Sequence, residues 1–171
     1  MTQHVRALRK PHPPSDPGPL RFRWRRFHKI AHLLPPLFQQ HWEEIALDQG
    51  TVPLEPDWDS YHALDLNQVL HVLSAWDLDG QLVGYIFNLI GGHQHYVGTR
   101  FAHTEMFWLH PDYRKGWLPV RMFLANIEGL RARGAVVSTI NFKLRFKYGR
   151  VGRLLARLGY TATDIVMRKV L

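Results

Sequence analysis

The chain's 171 residues, 46% of them hydrophobic, suffice for one domain with a sizeable core, and the absence of cysteine excludes disulfide frameworks, thiolate zinc sites and cysteine nucleophiles. No apolar run approaches the roughly 20 residues of a membrane-spanning helix and no secretory signal stands at the start, so a soluble cytoplasmic protein without a membrane partner is expected. The net charge of +8 is polarised: residues 1–30 carry eight Lys/Arg and one acid, 31–110 one and ten, and 111–171 thirteen and three, which predicts a polyanion at the C-terminal third and a neutral or cationic ligand at the middle.

Residues 1–19 contain five prolines among basic and polar residues and read as a flexible basic arm, able to touch nucleic acid weakly. The domain proper is expected over 20–171. Leu20 to Phe27 alternates apolar residues with Arg and predicts a first strand with Phe22 and Trp24 on its buried face; the same interleaving resembles single-strand nucleic-acid binders. Helical spacing from His28 to Ala46, interrupted at Pro35-Pro36, predicts two helical pieces, and Tyr61–Asn67 a short helix or turn. Val69–Trp76 and Leu82–Ile90 form a hairpin about Asp77–Gly80, ended by Gly91-Gly92.

A third strand is expected over Ala102–Leu109, a helix over Trp117–Arg133 capped by Gly134, a strand over Val136–Phe142, a helix over Lys143–Leu158 and a last strand over Tyr160–Leu171. This order argues an α/β fold of mixed sheet direction. The run Leu109-His-Pro-Asp-Tyr-Arg-Lys-Gly116 joins a strand to a helix, and such a basic turn presents unpartnered first-turn amides to an anion. A pyrophosphate suits it.

Pro111-Asp-Tyr-Arg114 with its following helix, Leu154 to Tyr160 with its Gly-aromatic ending, and the hairpin closed by Asp79–Gly84 together resemble the GCN5-related N-acetyltransferases (GNAT). Leu37–Glu44 and Tyr113–Gly116 look most like the subgroup encoded by phages and prophages, for which the host cytoplasm is the implied location. The resemblance implies a mostly antiparallel, twisted mixed sheet flanked by helices, with acetyl-CoA as co-substrate and direct attack by a primary amine. By the resemblance, acetyl-CoA is held by Phe107, Trp108 and Leu109 of the third hairpin strand and by the turn Arg114, Lys115, Gly116, Trp117, Leu118, Pro119 and Val120. Small residues of the family's phosphate loop fall here on Trp117 and Pro119, and Pro119 supplies no N–H. The tyrosine acid of its last helix falls on Leu155, with Tyr148 a turn or two away as the substitute.

Within that frame Glu105, the one carboxylate on the thioester-flanking strand, is the expected general base and His103 the alternate. Trp42, Glu43 and Glu44 are expected at the acceptor groove, joined by His95 and Tyr96 as loop residues; the His93-x-His95 pair is not read as a metal site. The acceptor amine is left open, a homodimer is one assembly open to the chain, and the competing reading is an inactive module of the same fold that binds nucleic acid or a protein partner, in a virion or elsewhere.

Overall fold

The computed structural model describes residues 19–47, 49–143, 149–167 and 169, together with the backbone of Tyr148. Residues 1–18 of the expected arm 1–19 lie outside the described residues. Five strands make one sheet in the order β1-β2-β3-β4-β5: β1 (Arg21–Arg25), β2 (Leu70–Trp76), β3 (Leu82–His93), β4 (Tyr96–Leu109) and β5 (Ala135–Ile140). Every neighbouring pair is antiparallel except β4 with β5. The expected mixed, mostly antiparallel sheet is therefore present.

Alternation along β1 sends Phe22 and Trp24 to one face, as the spacing predicts, and leaves Arg21, Arg23 and Arg25 exposed on the other. Pro35-Pro36 begins a helix rather than interrupting one: two short 3-10 turns, Phe27–Lys29 and Ala31–Leu33, lead into α1 (Pro35–Ile45). The reason is positional, since proline lacks only an N–H that the first turn cannot use. α2 (Trp58–Leu66) starts earlier than its apolar spacing suggests because Asp57 caps it, accepting from the Ser60 amide at 2.9 Å. Gly91-Gly92 does not end β3 either; both stay paired, opposite Phe101 and Arg100, so the β3–β4 hairpin is longer than expected at its tip.

α1 and α2 cover one face of the sheet, where Phe27, Phe38, Tyr85, Phe87 and Trp108 form an aromatic core. α3 (Leu118–Ala132) and α4 (Tyr148–Arg157) cover the other, over Leu73, Ile86, Leu109, Phe123 and Leu155. α3 ends at Gly134, whose φ of +79° is the left-handed cap conformation. The last strand expected over Tyr160–Leu171 is not formed among the described residues: 161–167 pair with no strand, and Ile165, Val166 and Met167 are exposed. Alternating apolar residues are insufficient without a ladder partner, which nothing here supplies.

Candidate active site

β4 is the strand on which the site is built, because its two ladders end at different places. The parallel ladder to β5 stops at Thr104↔Ile140, while the antiparallel ladder to β3 continues to Gly84↔Leu109. Among the described residues, 105–109 are thus paired along one edge only, and the opposite edge opens into a fork between β4 and β5. A bulge sits at the base of the fork. Asn88 faces Thr104 and Phe87 faces Met106, which leaves Glu105 as the extra residue. Bulges bend and twist a strand and re-aim a side chain.

A buried polar network fixes the bulge from below. Thr104 Oγ1 donates to Asn88 Oδ1 at 2.8 Å, and Asn88 Nδ2 donates to Asn126 Oδ1 of α3 at 2.9 Å. All three residues are within 1% of full burial, and every buried side-chain polar atom among the described residues has a partner. Such a satisfied network specifies one register, since any slip leaves amides unpaired.

Glu105 and His103 lie two apart on β4, toward the face of α1 and α2. Loss of solvent raises the Glu105 carboxyl above its ordinary value, with the His103 charge pulling the other way. Tyr61 of α2 also feels the Glu105 charge; burial first, then that charge, raises its phenol. His103 is held to β5 by a 2.9 Å hydrogen bond between Nδ1 and Thr139 Oγ1. If Nδ1 is the donor, Nε2 is left as an acceptor. Sequence reasoning missed Tyr61 and Thr139, since neither shares a segment with β4. The phenol of Tyr148 lies outside the described residues, and Leu155 is 3% exposed in the core, so that position carries no acid.

At the upper end of the fork, Phe107 and Leu109 turn their side chains toward α3 and Trp108 toward α1, so that backbone lines the edge facing the fork. The chain then makes the turn Pro111–Tyr113 and enters α3 with Pro119 in its first turn and no side-chain cap. Gly116 has φ +58°. The amides of Lys115, Gly116, Trp117 and Val120 have no backbone acceptor among the described residues, and consecutive free N–H groups around a left-handed residue form a concave anion site. Trp117 stands beside them, 50% exposed.

Arg114 does something else. Its amide donates to Pro111 O at 3.1 Å, its Nε to Leu109 O at 2.5 Å, and its two Nη atoms to both oxygens of Glu44 at 2.5 Å. Trp108 Nε1 donates to the same carboxylate at 3.1 Å. Glu44 is therefore occupied in anchoring the loop to α1, while Glu43 is exposed and accepts from Gln39 Nε2 at 2.7 Å. Half-buried Trp42 is its neighbour on α1. His95 and Tyr96 lie at the other end of β4, in an aromatic cluster with His93 and Phe101. At about 3.3 Å per residue, roughly 40 Å of strand separates Tyr96 from Trp108. The structure does not bring the two groups of expected acceptor residues together.

A forked β4, a bulge at its middle and an amide-lined turn opening a helix are the features that the mixed α/β fold brings together here. The overall fold is similar to that of solved acetyltransferases. An aminoglycoside acetyltransferase from an uncultured soil metagenomic sample superposes with TM-score 0.71 at 14% identity, over 89% of this chain and 98% of that one. A ribosomal-protein-alanine N-acetyltransferase from Brucella melitensis biovar Abortus 2308 gives 0.62 at 18% identity, over 89% and 98%. AAC(6')-Iy, solved with a CoA bisubstrate analogue, gives 0.56 at 16%, over 89% and 97%. No protein-family model and no curated protein matches the sequence. The chain thus has the fold of the GNAT acetyltransferases.

Proposed function

We propose that the protein is an N-acetyltransferase that moves an acetyl group from acetyl-CoA to a primary amine. The reading is carried by one coincidence: the open edge of β4 leads into a turn whose amides at Lys115, Gly116, Trp117 and Val120 have no backbone acceptor among the described residues. A pyrophosphate on those amides puts a pantetheine arm alongside residues 107–109, and a strand N–H then polarises the thioester carbonyl. The amine nitrogen attacks the carbonyl carbon, the C–N bond forms as the C–S bond breaks, and the thiolate leaves. Glu105 takes the proton of the attacking amine, directly or through water, with His103 as the second candidate base. Its raised carboxyl pKa suits that task. Glu43, exposed beside Trp42, supplies negative charge near the fork for a cationic acceptor.

The test is binding followed by turnover. Acetyl-CoA at a hundred times its Kd should stabilise the fold by roughly 2.7 kcal/mol, and a free-thiol assay across polyamines, aminoglycosides, amino acids and peptides should find an acceptor. An unmoved melting temperature in millimolar acetyl-CoA refutes the reading.

A further inference from the structure

The sheet edge farthest from the fork carries a second, differently built surface. β1 is an edge strand, and its alternation presents Arg21, Arg23 and Arg25 on one exposed face. Together with Lys29 of the following turn they line a half-open cavity of about 400 Å³, whose floor includes half-buried Trp76 of β2. None of these four cations has a carboxylate within 4.0 Å among the described residues, where the ion pairs involve Arg26, His28, His110 and Arg114 instead. The one acid lining the cavity, Asp77, accepts from the Gln81 amide at 2.7 Å and from Tyr113 Oη at 3.3 Å, and its single negative charge against four cations leaves the cavity net positive. Four like charges on one wall repel each other and lower stability unless something neutralises them.

Two further observations select the occupant. Arg21, Arg23 and Arg25 recur every second residue, about 6.8 Å apart along a strand, which suits a linear array of single charges rather than one compact anion. Trp76 offers an aromatic surface within the same cavity, its Nε1 donating to Ser74 Oγ at 2.7 Å so that the indole is fixed in place. A cationic groove that tracks a backbone, with an aromatic ring on which a base stacks, is the requirement for sequence-tolerant binding of a single strand. The sequence entering β1 adds Arg6, Arg9 and Lys10 against Asp16 alone.

We infer that the β1 face formed by Arg21, Arg23, Arg25, Lys29 and Trp76 is a binding surface for single-stranded nucleic acid, separate from the β4–β5 fork. The phosphates pair with the three arginines and the lysine, and a base stacks on Trp76. The surface needs no acetyl transfer and stands or falls independently of it.

The experiment uses the full chain with a fluorescein-labelled 20-nucleotide oligo-dT, read by anisotropy from 25 to 200 mM NaCl. Binding is expected to weaken steeply with salt. The R21Q/R23Q/R25Q variant is expected to lose at least tenfold in affinity and to flatten the log–log salt slope by about two, since each phosphate contact on a single strand contributes about 0.7. Removing three α4 cations instead (R150Q/R153Q/R157Q) is expected to change it less than threefold. Trp76→Phe should keep the salt slope and lose affinity, and R23Q alone serves if the triple variant fails to fold. Saturating acetyl-CoA should leave the anisotropy unchanged. Equal losses in the β1 and α4 triple variants overturn the inference, as does displacement by acetyl-CoA, which returns the oligonucleotide to the fork. Tighter binding of polyglutamate than of oligo-dT overturns it in favour of an acidic protein partner.

Discussion

Arg114 and Glu44 form a two-pronged ion pair that bolts the loop after β4 onto α1, with both Nη atoms 2.5 Å from the carboxylate oxygens and side chains only 25% and 31% exposed. The loop that carries the free amides is thereby positioned by a helix 70 residues earlier in the chain. Arg114→Ala should cost about 1–3 kcal/mol in urea unfolding, less than a fully buried pair because water still reaches it. Arg114→Lys should restore only part, since an ammonium cannot span both oxygens. If the guanidinium acts on acetyl-CoA only by positioning, Arg114→Ala and Glu44→Ala should weaken the cofactor equally and the double variant no further. A direct phosphate contact would instead leave Glu44→Ala near wild type.

Gly116 carries the turn at φ +58°. Gly116→Val forces a β-branched residue into a left-handed conformation and should cost about 1–2 kcal/mol. Acetyl-CoA affinity, measured by calorimetry, should fall at least tenfold as the amides lose their common direction, while the fold persists. An affinity unchanged from wild type would remove this loop from the binding site.

Glu105 protrudes at the bulge, and Glu105→Gln should lower kcat by roughly 10²–10⁴ with acetyl-CoA affinity retained. Alkaline buffer deprotonates the acceptor without help, so the variant should recover part of its rate as pH rises. Full activity at all pH values would pass the role to His103 or water.

Acid should unfold the protein in two stages. Burial, opposed by Glu44 and reinforced by Arg114 and Lys143, lowers His41 from 6.5 to about 4. Its neutral ring bonds the Tyr85 hydroxyl at 2.8 Å. A depressed histidine contributes stability that is complete above pH 6.5 and lost as pH falls toward 4, of the order of 3 kcal/mol. Asp65, 1% exposed, comes next. Burial alone would raise it, but bonds from Arg26, His28 and the Phe27 amide outweigh that and lower it from 3.8 to about 2. Its share is present above pH 3.8 and disappears toward 2. Urea midpoints at pH 7, 5 and 3 check both stages, and His41→Gln should flatten the first.

Gly129 of α3 lies against Trp24 of β1: a Cβ there would stand 2.2 Å from the indole. Arg133 covers the same ring at 3.9 Å. Gly129→Ala gains helix propensity of about 1 kcal/mol yet should still destabilise by about 1–3 kcal/mol, because the indole must leave its slot. A raised melting temperature would show that the slot yields.

Elements whose signals are local were legible in the residues that form them. The alternation of β1, the turn at Asp77–Gly80, the Gly134 cap and the strand-to-helix turn at 109–118 stand where their residues place them, because each depends on backbone preference and neighbours. Glu105 was legible as the single carboxylate on its strand. Its place as the extra residue of a bulge was not, since that depends on the register against β3 and on Asn88 and Asn126, 38 residues apart. Pairing at a distance also decided that Arg114 and Glu44 hold each other, that His103 meets Thr139, and that Tyr160 to Met167 pairs with no strand among the described residues. Apolar alternation along one segment records a buried face; it carries no information about which edge will be there to receive it.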